Sequence, residues 1–63
     1  MKNPMEKLKQ KRLEKSLTQE KLAEMTGLNH QSISNYETGE QFPRFANLLK
    51  LAKALDCEIG EII

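Results

Sequence analysis

The sequence predicts an all-α fold of five short helices, and three observations carry that expectation. Apolar residues recur at helical spacing, as at Phe45, Leu48, Leu49, Ala52 and Leu55, and no stretch alternates as a strand would. Capping and stopping residues bracket each apolar stretch. The chain has 63 residues, which is one domain, residues 1–63. A domain of this size buries only ~60% of its unfolded surface, which suits a compact helical core and leaves no room for a deep pocket.

The elements follow in order. Asn3 is a capping residue and Pro4 suits a first helical position, so a first helix is expected from about Pro4 to Lys15, broken at Ser16-Leu17. Thr18 is a good N-cap for a second helix, with Lys21 standing where a capping box would have Glu. Gly27 can close that helix in a left-handed conformation. Asn29 caps a third helix, about His30 to Thr38, closed by Gly39. Glu40-Gln41-Phe42-Pro43 is a loop, and a fourth helix begins near Arg44 with Asp56 just past its end. A fifth helix, weakly marked, is expected from Glu58 to Ile63; Glu58 is a poor N-cap, so this helix should fray.

Composition excludes several function classes. Cys57 is the single cysteine, so there is no internal disulfide, and one cysteine with His30 cannot build a structural zinc site. Cys57 lies between Leu55 and Ile59 and reads as a core thiol, with a reactive thiol as the alternative. No apolar run approaches ~20 residues, and no leader is visible, so the expectation is a cytoplasmic protein. No nucleophile, base and orienting group occur together; catalytic residues, cofactor and metal are each expected to be none, and no small-molecule ligand is evident. Net charge is +1, yet residues 1–21 carry seven Lys or Arg against three Glu, whereas residues 22–63 carry three against six acids. The N-terminal part is therefore either a phosphate-facing side or a solvated helix surface.

The informative stretch is QEKLAEMTGLNHQSISNY, Gln19 to Tyr36. Two helices of about two turns are joined by a turn holding Gly27, with Leu22, Leu28, Ile33 and Tyr36 as the apolar contacts and Ala23 small at the crossing. This is the spacing of a helix-turn-helix, about residues 19–38. At ~100° per residue, His30, Gln31, Ser34 and Asn35 fall opposite Ile33 and Tyr36. That face is polar and almost uncharged, whereas a solvating face usually carries Lys and Glu. Such side chains suit base edges, amides above all adenine N6 and N7, and the alternative is a polar surface without a partner.

From Leu8 to Ile63 the chain resembles the Cro and repressor proteins of lambdoid phages, within the xenobiotic-response-element type of regulator. LKQKRLEKSLTQEKLA, HQSI, YETG, PRF and ALDC all have counterparts in register. The resemblance implies a lambda-repressor-like five-helix domain that regulates transcription, most simply as a repressor, by binding a palindromic operator in double-stranded DNA. It implies a homodimer, weak without DNA, meeting through the fourth and fifth helices, where Ile59, Ile62 and Ile63 offer apolar surface. It implies a bacterial or phage-encoded protein acting on the nucleoid.

The resemblance also implies residue roles. Gln19 touches a phosphate and braces His30, which stands where the phage proteins usually have Gln. Gln31 and Asn35 read base edges. Arg12 and Glu37 form a structural pair between the first and third helices. Arg44 lies near the minor groove, the amides of Arg44 and Phe45 hold a phosphate, and Lys9 and Lys11 are backbone-facing. Ser16 stands where the family has Gly, and Glu40 and Gln41 occupy a loop that is usually basic, so weaker or more salt-sensitive binding is expected. The alternative reading is an antitoxin or other protein-interaction module of the same form.

Overall fold

The computed structural model describes residues 4–63. It contains four α-helices: α1 (Glu6–Glu14), α2 (Gln19–Thr26), α3 (His30–Thr38) and α4 (Phe45–Ala54). No strand occurs among the described residues. The expected fifth helix is a single 3-10 turn, Ile59–Glu61. Gly60 sits in the middle of this turn and disfavours its propagation as an α-helix. Glu58 nevertheless caps this turn: its side chain accepts from the Glu61 amide, and its own amide donates to Glu61 Oε2 at 2.8 Å. The expectation of an uncapped segment is corrected by this reciprocal pair.

The Asn3 cap expected for the first helix lies outside the described residues. α1 begins at Glu6 with Met5 before it. The next two starts follow the sequence: Thr18 Oγ1 accepts from the Lys21 amide at 3.0 Å, and Asn29 Oδ1 accepts from the Gln31 amide at 2.7 Å.

Each α-helix is closed by a residue in the left-handed region. Gly27 (φ 73°) and Gly39 (φ 85°) do so without strain, whereas Ser16 (φ 58°) and Asp56 (φ 53°) carry a Cβ there. After Ser16 the Leu17 amide returns to the Arg12 carbonyl at 3.1 Å; after Gly39 the Glu40 amide returns to Asn35 at 2.9 Å; after Asp56 the Cys57 amide returns to Ala52 at 3.0 Å. These are Schellman closures, which satisfy the last carbonyls and turn the chain sharply enough to pack the next helix.

The core is built from Met5, Leu8, Leu22, Ala23, Ile33, Tyr36, Leu48, Leu51, Ala52, Leu55 and Ile62. Two expectations change here. α4 has the helical period read from the sequence, but its phase differs: Leu48, Leu51, Ala52 and Leu55 face the core, while Phe45 and Leu49 are exposed. Both stripes exist because Leu48-Leu49 and Leu51-Ala52 are apolar doublets, and only the packing against α2 decides between them. Ile62, expected at a dimer surface, is 0% exposed and closes the bottom of the core; Ile59 is half-buried and Ile63 exposed at that end. Cys57 is half-buried against the core, and burial pushes its thiol pKa up, so it is a poor thiolate.

Candidate nucleic-acid interface

α2 and α3 pack through Leu22, Ala23, Ile33 and Tyr36, joined by the turn at Gly27–Asn29 with Leu28 tucked against the core. Anchoring Ile33 and Tyr36 inward turns the other side of α3 outward. His30 and Gln31 are exposed there, and Ser34 and Asn35 are half-buried.

Two hydrogen-bonded chains order this face. The first starts inside. Arg12 Nε donates to Glu37 Oε2 at 2.6 Å, Arg12 Nη2 to Glu37 Oε1 at 3.1 Å, and Arg12 Nη1 to the Leu17 carbonyl at 2.7 Å. The side chains of this pair are 8% and 3% exposed, so it ties the end of α1 to the end of α3 out of water. Gln19 Nε2 donates to Glu37 Oε1 at 3.0 Å, and Gln19 Oε1 lies 3.0 Å from His30 Nε2. The second chain runs along the surface. Gln31 Nε2 donates to Asn35 Oδ1 at 3.0 Å, and Asn35 Nδ2 donates to Gln41 Oε1 at 3.2 Å.

The remaining candidates are spread more widely. Arg44 is the exposed residue before the first turn of α4, and its side chain does not cap that turn. Beside it Tyr36, Gln41, Phe42, Arg44 and Asn47 line a shallow depression, in which Asn47 Nδ2 donates to Tyr36 Oη at 3.3 Å. Lys9 is exposed. Lys11 is turned away from Lys9, since two residues on a helix differ by ~200°. It lies 3.4 Å from Glu14 and 3.5 Å from Glu61, and the charge of Glu14, then that of Glu61, raises its pKa. The two lysines therefore do not share one side.

Gln41 and Asn47 had not been singled out from the sequence as site residues. Gln41 could have been, because the left-handed closure at Gly39 folds the chain back over Asn35; Asn47 has no such local signal. Among the described residues no group of three or more His, Cys, Asp or Glu stands together as a metal site, and no helix is long and apolar enough to cross a membrane.

The family described as helix-turn-helix matches residues 8–62. The chain is 38% identical over 58 residues to the HTH-type transcriptional activator BcrR of Enterococcus faecalis, covering 92% of this chain and 28% of that protein. It is 37% identical over 57 residues to the cryptic phage CTXphi transcriptional repressor RstR of Vibrio cholerae, covering 90% and 51%. The chain thus spans about half or less of the length of these relatives. Among solved structures, the restriction-modification controller protein C.AhdI from Aeromonas hydrophila superposes with a TM-score of 0.87 at 38% identity, over 92% of this chain and 88% of that one.

Proposed function

The chain belongs to the helix-turn-helix family, and from that premise we propose that it is a sequence-specific regulator of transcription that binds double-stranded DNA as one domain, residues 1–63. α3 enters the major groove and α2 crosses the backbone. His30, Gln31, Ser34 and Asn35 meet base edges. Gln19, Lys9 and the amides of Arg44 and Phe45 meet phosphates, and the Arg44 side chain approaches the minor groove. The observation that carries this reading is the outward side of α3, made of amides, a hydroxyl and one imidazole, without a Lys or Glu.

The relatives include a named activator and a named repressor. Repression is the simpler mode for so small a domain, since occupying the operator blocks polymerase. Two copies bind a palindromic site with half-sites ~34–36 Å apart. They meet through Phe45 and Leu49 of α4, which are 67% and 48% exposed, rather than through Ile62. These side chains continue directly from Arg44, so a second copy seated there brings both Arg44 residues toward the centre of the site. The contact is small, and the free protein is monomeric or weakly dimeric. The working location is the nucleoid.

The test is selection of bound duplexes from a random pool. The expected result is an enriched sequence with two-fold symmetry. Binding without any enriched sequence contradicts base readout; an enriched asymmetric site contradicts the dimer.

A further inference from the structure

We infer that the buried Arg12–Glu37 ion pair, acting through Gln19, holds neutral His30 in its Nε2–H tautomer, so that Nδ1 faces DNA as an acceptor and selects a base bearing an amino group. The selection rests on the DNA-binding reading above; the tautomer does not.

Each link follows from what the groups can donate and accept. Arg12 has donors only, and it places two of them on Glu37, so the carboxylate is an acceptor at every position. Gln19 must therefore turn its amino group to Glu37, at 3.0 Å, and its oxygen is left pointing at His30 Nε2, also at 3.0 Å. An amide oxygen accepts and cannot donate, so this contact is a hydrogen bond only when Nε2 bears the proton. A neutral imidazole has one N–H, so Nδ1 keeps its lone pair. His30 is exposed at the start of α3, and no protein partner of Nδ1 is found among the described residues.

The second chain provides the contrast. Gln31, Asn35 and Gln41 are three amides with no ion anchoring the run through their side chains, so all three can turn over together. The polarity of that chain adapts to whatever base it meets; the polarity at His30 is set from the core. In the major groove the amino groups are N6 of adenine and N4 of cytosine, whereas guanine offers only acceptors and thymine an acceptor and a methyl group. His30 therefore favours adenine or cytosine at its position and disfavours guanine and thymine. Arg12, Glu37 and Gln19 are positioning residues for this choice.

His30 is the only histidine in the chain, so its ring nitrogens can be read without assignment ambiguity. The experiment records imidazole nitrogen spectra of the free protein at about pH 8.5, where an ordinary imidazole is neutral. In the parent, Nε2 should carry the proton in nearly all molecules. In Glu37→Gln one end of the new amide must set its amino group against an Arg12 donor, so the all-acceptor anchor for Gln19 is lost and the proton ratio shifts toward Nδ1. If Glu37→Gln does not fold, Gln19→Met cuts the link and lets the ratio relax toward that of a histidine in an unstructured peptide. A parent spectrum dominated by Nδ1–H, or a ratio that neither variant moves, overturns the inference.

Selection from a random pool supplies the second arm. The position whose preference His30→Ala abolishes should favour adenine or cytosine by roughly fivefold or more in the parent. In Gln19→Met that preference should fall several-fold. Guanine or thymine as the favoured base overturns the base selection. A pool with no enriched sequence overturns the operator reading and the base selection with it, while the spectra, taken without DNA, separate that failure from a failure of the tautomer.

Discussion

Arg12 carries a charge into the core with 6% of its surface exposed, and Glu37 meets it there with two hydrogen bonds. Removing one member of such a pair leaves the other charged and dehydrated, a loss of about 3–5 kcal/mol, whereas replacing both with apolar residues of similar volume is much milder. Arg12→Ala should therefore lower the melting temperature sharply, and Arg12→Met with Glu37→Leu should recover most of the loss. A thermal melt of the three proteins checks this; a single variant as stable as the parent contradicts it. The pairing was legible in the sequence only through family resemblance, because the residues are 25 positions apart and no local rule joins them. The polar face of α3 was legible from helical periodicity alone. The links from Gln19 to Glu37 and from Asn35 to Gln41 depend on how helices cross and how a closed helix folds its chain back, which spacing does not state.

At the scale of elements, capping chemistry placed the starts of α2 and α3 and the closures at Gly27 and Gly39. It missed the phase of α4, where two apolar stripes compete, and the fate of the last segment, where a pair of glutamates replaces the usual cap. Ser16 holds a left-handed conformation in an exposed turn, so Ser16→Gly should stabilise the protein by about 0.5–1 kcal/mol. Asp56→Gly should gain less, since Asp tolerates that conformation better. Denaturant midpoints of the two variants decide the order. The C-terminal turn has a pH dependence of definite sign. The Glu58 amide, then the charge of Lys11, lowers the Glu61 pKa against a smaller opposing effect of burial. A lowered carboxylate pKa stabilises the folded form above the ordinary value, and that contribution disappears as pH falls through the lowered one. The Glu58 amide should lose its hydrogen bond as pH falls through and below the ordinary carboxylate range. An amide resonance unchanged through that window contradicts the capping pair.

The whole molecule separates stability from recognition. Its core is one apolar cluster with the buried Arg12–Glu37 ion pair beside it, while the proposed readout face lies outside it. Charge is divided as well: the N-terminal third is basic, although Lys11 is spent on Glu14 and Glu61. Binding to DNA should weaken steeply with salt, with a slope of about −0.9 for each phosphate neutralised, and Lys9→Ala should reduce that slope by about one while Lys11→Ala changes it less. Titrations at several salt concentrations measure both slopes, and equal reductions would contradict the separation of the two lysines. The central claim is that the outer side of α3 reads bases. The measurement that meets it most directly pairs a melt of Gln31→Ala with its titration on the selected operator and on random DNA. The account predicts an almost unchanged melting temperature, a loss of about 1–3 kcal/mol on the operator, and a smaller loss on random DNA. Equal affinity of parent and variant for the operator, or an equal loss on both DNAs, would contradict it.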